Sequence, residues 1–137
     1  MYLLDTNIVS ELRRLRPHGA VVAWLRAVRN EDLHLSAVTI GEIQSGIEIA
    51  REQDEAKAAA IEAWLEQVEA TYNVISMDAR AFRSWARLMH RRTDDLIEDA
   101  MIAATAAVHR LTVVTRNVRD FEGFGVPTLN PFDAKAG

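Results

Sequence analysis

The sequence predicts an α/β domain, a three-layer α/β/α sandwich around a mainly parallel central sheet. Two observations predict it. Short apolar runs suited to strands alternate with longer segments whose apolar residues recur at helical spacing. Several of those runs also end in a residue that can cap a following helix, which is the strand-then-helix order of parallel sheets. With 137 residues, of which 49% are hydrophobic, the chain reads as one domain spanning 1–137. A chain of that size can bury roughly two-thirds of the surface its unfolded form exposes.

Tyr2-Leu3-Leu4 reads as a short buried strand, and Asp5-Thr6-Asn7 offers cap chemistry for a helix through about Arg13. Pro17 and Gly19 break the chain before Val21, Val22, Trp24, Leu25 and Val28, which have helical spacing. Leu33-His34-Leu35 is the second strand, and Ser36 can cap a helix to about Glu52. Asp54 can cap the next, with Ile61, Trp64, Leu65, Val68 and Tyr72 forming an apolar side suited to a contact surface. Residues 73–77 are strand-like, and Asp78 opens a helix ending near Arg92. Asp95 and Glu98 resemble a capping box for a helix to His109. Residues 111–114 and 126–129 supply the last two strands.

Composition narrows the function. No cysteine is present, which removes disulfides, thiolate catalysis and cysteine zinc sites and makes a cytoplasmic protein the simple reading. No signal peptide or membrane-spanning run is evident. The net charge of -4 does not suggest a nucleic-acid binder, yet its distribution is uneven. Residues 48–69 hold seven acids against Arg51 and Lys57. Residues 80–92 hold Arg80, Arg83, Arg87, Arg91 and Arg92 and no acid. Arginine forks match phosphate oxygens, so Arg83, Arg87, Arg91 and Arg92 are candidate RNA contacts, with a solvated helix face as the plain alternative.

Four acids stand where a carboxylate has little structural use. Asp5 ends the first strand, though it also reads as a helix cap. Glu42 interrupts a second stripe, Val38, Ser45 and Ile49, on a helix that buries Ile40, Ile43, Ile47 and Ala50. Its alternative is a solvated surface position. Asp99 opens a nearly all-apolar helix and lies beyond the capping positions. Asp120 follows the 111–114 strand and the turn Thr115-Arg116-Asn117, where a turn cap is the competing role. Parallel sheets bind ligands beyond the carboxyl ends of their strands, and two strand ends deliver acids there. An unpaired charge near a dry interior costs several kcal/mol. Several such acids with no lysine to match them point to a missing cation, and oxygen-only ligation indicates Mg2+ or Mn2+. Divalent ions held by acids can orient a phosphodiester, deprotonate water and help the leaving oxygen. Thr6, Thr115 and Asn117 are candidate supporting polar groups.

These residues resemble a family. Leu4-Asp5-Thr6-Asn7, Ser36 through Glu42, Glu98 through Ala106, and Val114 through Phe121 are similar to the four ordered motifs of PIN-domain ribonucleases of the VapC type. Asn130-Pro131-Phe132 is similar to a common ending of that family. Leu4 through Glu11 and Val22-Ala23-Trp24-Leu25 particularly resemble its FitB-like branch. The resemblance implies a PIN-like fold and a metal-dependent endoribonuclease, the toxin half of a toxin–antitoxin pair. It implies Asp5, Glu42, Asp99 and Asp120 around magnesium or manganese, a homodimer, and a VapB-type antitoxin that plugs the site. Operator DNA is then reached only through the antitoxin, and no membrane is involved. The chain departs from the pattern at Glu98, where a neutral residue is common, and at Asn117, where some members carry aspartate.

Two other readings compete. A magnesium-dependent phosphotransferase also places acids at strand ends, but wants paired acids at the first strand and a lysine after a late one. The only lysines are Lys57 and Lys135. A catalytically silent PIN-like subunit of a repressor complex needs none of the four acids. His18, His34, His90 and His109 have no ligand spacing, and no GxSxG, GxxxxGK[ST] or GxGxxG sequence occurs.

Overall fold

Five short strands, β1 (Tyr2–Leu4), β2 (Leu33–Ser36), β3 (Asn73–Ile75), β4 (Thr112–Val114) and β5 (Thr128–Leu129), form one sheet in the order β3-β2-β1-β4-β5. Every pairing is parallel. The computed structural model describes residues 1–133; Lys135 lies outside them. Leu3, Leu4, Leu33, Leu35, Val113 and Val114 are buried, as expected for strands covered on both faces. The pleat divides them: Leu3 and Val113 face one core and Leu4, Leu35 and Val114 the other.

Six helices supply the outer layers: α1 (Thr6–Glu11), α2 (Gly19–Ala27), α3 (Ala37–Arg51), α4 (Glu55–Thr71), α5 (Ala79–Met89) and α6 (Ile97–His109). Helix α6 lays Ala100, Ile102, Ala103 and Ala106 on one face, joined by Phe121 and Phe124 from a 3₁₀ segment, Val118–Phe124. Ile8, Val9, Val21 and Val68 pack the other face. A third cluster, Ile47, Ala58 and Leu65, seals α3 to α4. Among the described residues, no helix is long and apolar enough to cross a membrane.

Most caps form as the sequence suggests. Ser36, Asp54 and Asp78 accept from the backbone N–H of Val38, Lys57 and Ala81 at 3.1, 3.0 and 2.9 Å. The capping box does not form. Asp95 instead lies in a 3₁₀ turn, Asp94–Leu96, and accepts from the Thr93 hydroxyl; α6 begins at Ile97 without a side-chain cap. Asp99 is therefore in the first turn of α6, not past its capping positions. Helix α5 stops at Met89, short of Arg92: His90 leaves the helical region with ψ 120°, and Arg91 follows with φ 64°. Most of the apolar side of α4 is covered: Leu65 and Val68 are buried, while half-buried Ile61 and Trp64 pack toward α3 and the sheet and stay partly open. Of the apolar residues expected to be buried on α3 only Ile47 is fully so, with Thr39 buried beside it, and Ile49 of the second stripe is 65% exposed.

Phe121 anchors the segment that carries Asp120. Phe121→Ala should cost about 3–5 kcal/mol in urea unfolding, because truncating a buried phenylalanine leaves a cavity the sheet cannot close. A loss under about 1 kcal/mol would show that the 3₁₀ segment does not depend on the core.

Candidate active site

Strand register sets the first two groups side by side. β1 pairs with β4 so that Leu4 lies opposite Val114, which makes Asp5 and Thr115 the next residues on adjacent strands. The Asp5 N–H donates to the Val114 carbonyl at 2.9 Å, and the Thr115 N–H donates to Leu129 at 2.9 Å. Both side chains thus emerge at the carboxyl edge, where the strand order reverses between β1 and β4.

Asp5 is tightly held. Its Oδ1 accepts from the Thr6 N–H at 2.8 Å, which caps α1. Its Oδ2 accepts from the Thr115 hydroxyl at 2.8 Å and from Asn7 Nδ2 at 3.2 Å. The cap role weighed for Asp5 is filled, and the same carboxylate faces Thr115 and Asn7 at the sheet edge. Thr115 Oγ1 in turn accepts from the Asn117 N–H at 3.0 Å. Asn117 contributes its backbone there; its side chain makes no hydrogen bond among the described residues.

Glu42 reaches the same edge from α3. Its Oε1 accepts from the Thr6 hydroxyl at 3.0 Å, and Thr6 also meets Thr39 at 3.0 Å. Asp99 arrives from the first turn of α6, and exposed Asp120 from the 3₁₀ segment. Their electrostatics tie them together. Burial raises the proton affinity of Asp5 even against three hydrogen bonds, and the charge of Asp120 adds to it. Burial likewise raises Glu42, with Asp5 and Glu98 adding. Asp99 is pushed up to about 6, first by burial and then by the charges of Asp5, Asp120, Glu42 and Glu98. Among the described residues, no basic group pairs with any of the three. Glu98, the residue that departs from the family pattern, thus adds negative charge to the cluster.

That imbalance is what a cation would relieve. The donors are all carboxylate and hydroxyl oxygens, which suits magnesium or manganese. Among the described residues, no three acids stand in a ready-made ligand shell. Magnesium commonly binds through one or two carboxylates and keeps several waters, so the donor set fits it without a closed cage.

The arginines lie elsewhere. Arg83 and Arg87, with Arg80, line a recess of about 380 Å³ against Ala107 and Val108. Ala107 is eight residues beyond Asp99, so this recess is about 12 Å further along α6. Arg92 donates to the Gly123 carbonyl at 2.6 Å, and its guanidinium lies 4.7 Å from the centre of the Phe124 ring. It fastens the 3₁₀ segment to the end of α5. Two groups were missed from the sequence. Asn7 and Thr39 brace Asp5 and Thr6, and only their place inside the first two motifs signalled them. Buried Glu11 is a further acid, with a structural task. It accepts from the His18 N–H at 2.9 Å and from Arg14, which holds its carboxyl below the usual range.

Residues 2–125 match the PIN domain family. The chain belongs to the PIN-domain family. This PIN domain is 35% identical to VapC ribonuclease Y4jK of Sinorhizobium fredii, across 97% of this chain and 99% of the relative. It is similar to the crystal structure of FitAcB from Neisseria gonorrhoeae, with a TM-score of 0.84 and 33% identity over 97% of this chain and 99% of that one. It is also similar to a toxin–antitoxin complex from Klebsiella pneumoniae, with a TM-score of 0.72 and 28% identity over 96% and 98%. The PIN fold also disfavours the phosphotransferase reading, since β1 ends in a single acid and Lys57 stands on α4 rather than after a late strand.

The crowded acids make stability pH-dependent in a metal-free buffer. Unfolded Asp99 loses its proton near 3.8, whereas the folded group keeps it to about 6. Between those values the folded state binds more protons, so stability falls as pH rises. In EDTA, Asp99→Asn should melt above the parent at pH 7, and the difference should shrink toward pH 4. Equal melting of the two proteins across that range would remove the case that burial and neighbouring charge disfavour ionised Asp99.

Proposed function

We propose that this PIN domain is a metal-dependent endoribonuclease and the toxin component of a toxin–antitoxin pair. The observation that carries the reading is the cluster of three carboxylates with raised proton affinity, and no basic partner among the described residues, at the β1–β4 switch. It stands in a chain that matches a VapC ribonuclease end to end.

Asp5 and Asp99 are the core ligands for magnesium or manganese, and Glu42 and Asp120 complete the set directly or through water. When bound, the ion supplies an activated water and offsets charge on the phosphate. Thr115, Asn7 and the Thr6 N–H fix Asp5, so its carboxylate need not reorganise on loading. The Thr6 hydroxyl aims Glu42 in the same way. Without a cation, the clustered negative charge repels the RNA backbone, which makes activity conditional on metal.

The same charge selects the inhibitor. A VapB-type antitoxin that presents an arginine would satisfy the acids and cover them. Similarity to a solved toxin–antitoxin complex supports such a partner. The active assembly is a homodimer of this chain. Operator DNA is contacted through the antitoxin, consistent with the net charge of -4.

Purified chain, free of co-expressed partner, should produce new RNA ends from total RNA in magnesium and none in EDTA. Asp99→Asn should reduce cleavage at least 100-fold while the domain stays folded. Full activity in that variant would overturn the assignment.

A further inference from the structure

A recess of about 360 Å³ runs from Thr6 and Glu42 along the seam of α3 and α4. It therefore opens directly off the acid cluster. Its apolar floor includes Ile61 and Trp64, and Arg13 and Lys57 also line it.

Three features mark it as kept open for a ligand. Gly46 lines the recess from within α3, where glycine is disfavoured relative to alanine. No atom lies within 4 Å of the place its Cβ would take, so packing does not demand glycine there. The missing side chain leaves the trough clear. Arg13 and Lys57 make no ion pair or side-chain hydrogen bond among the described residues, whereas Arg14, Arg29 and Arg51 are all paired. The Trp64 indole N–H has no acceptor among the described residues, whereas that of Trp85 donates to the Ile97 carbonyl at 3.3 Å.

We propose that this trough seats an RNA nucleotide adjacent to the scissile bond, with its base on the apolar floor at Trp64 and its phosphate held by Arg13 and Lys57. The inference rests on the ribonuclease reading above. A strand whose phosphate is brought to Glu42 must pass its neighbouring nucleotide along this seam, because the two share lining residues. Unpaired cations suit a phosphodiester, and an aromatic floor with a free donor suits a base. A purely apolar segment would bury the floor and leave both cations without a partner. The recess makes this subsite a reader of base shape, and so a determinant of where the strand is cut.

The test uses the full chain and a single-stranded RNA oligonucleotide that the parent cleaves. Binding is followed by fluorescence anisotropy across a salt series in calcium, whose looser coordination suits binding more than turnover, and cut positions are mapped in magnesium. Arg13→Ala/Lys57→Ala should bind about 10-fold more weakly. Its log K against log salt slope should fall by about 0.7, since one neutralised phosphate on a single strand contributes about 0.7. Gly46→Leu should bind about 10-fold more weakly and lose or move the preferred cut. Its melting temperature should be unchanged or higher, because leucine favours the helix. Parental binding and slope in the double variant, or an unchanged cut pattern in Gly46→Leu, overturns the proposal. If Gly46→Leu spares RNA but weakens a protein partner, the trough is a protein-docking groove and the proposal falls. If the parent itself neither binds nor cuts RNA, the ribonuclease reading has failed, and this proposal fails with it.

Discussion

The hydrogen bond from the Thr115 hydroxyl to Asp5, 2.8 Å across the ends of β1 and β4, is the contact on which the site depends. It exists only because the two central strands are parallel and in register. A slip of one residue would turn either side chain to the opposite face of the sheet. The other supports hang from it. Asn7 bridges Asp5 and the Arg116 N–H, and Asn117 closes back on Thr115. The carboxylate also caps α1, so the first helix and the site share an origin. Moving Asp5 would unfasten both.

The molecule treats its acids in two opposite ways. On the outer face of α3 and α4, Arg51 donates to Glu48, Glu55 and Glu62 at 3.1, 2.6 and 3.1 Å. That charge is satisfied locally. At the carboxyl edge, Asp5, Glu42, Asp99 and Asp120 are brought together with no paired cation among the described residues. Like charges about 4 Å apart repel by roughly 1 kcal/mol in water and about 4 kcal/mol at an effective dielectric near 20. The cores on both faces of the sheet hold the arrangement against that repulsion. A buried group without its counter-charge is the usual signature of a functional site, where local stability is given up for chemistry.

Much of this was legible in the chain. The strand at 2–4 and the caps at Ser36, Asp54 and Asp78 follow from spacing and side-chain chemistry alone. So does the choice of a parallel sheet, since apolar runs and helices alternate throughout. What was not legible depends on tertiary packing. Asp95 and Glu98 have capping-box spacing, but the chain closes a 3₁₀ turn there and starts α6 one residue after Leu96. Arg92 reads as one more exposed cation until Phe124 is folded beneath it. The apolar side of α4 looks like an open surface until α3 covers it. Glu11 carries no sequence signal, because its partner is a backbone N–H seven residues on, at His18.

The central claim is that the acids at the β1–β4 edge form the protein's divalent-cation site. Paramagnetic broadening by substoichiometric Mn2+ in the amide spectrum of the metal-free chain tests it most directly. The expected result is loss of signal first around Asp5, Thr6, Glu42 and Asp99, with the Glu48–Glu62 face unaffected and magnesium restoring the lost peaks. Broadening centred on the Glu48–Glu62 face, or spread evenly over all exposed acids, would contradict the account.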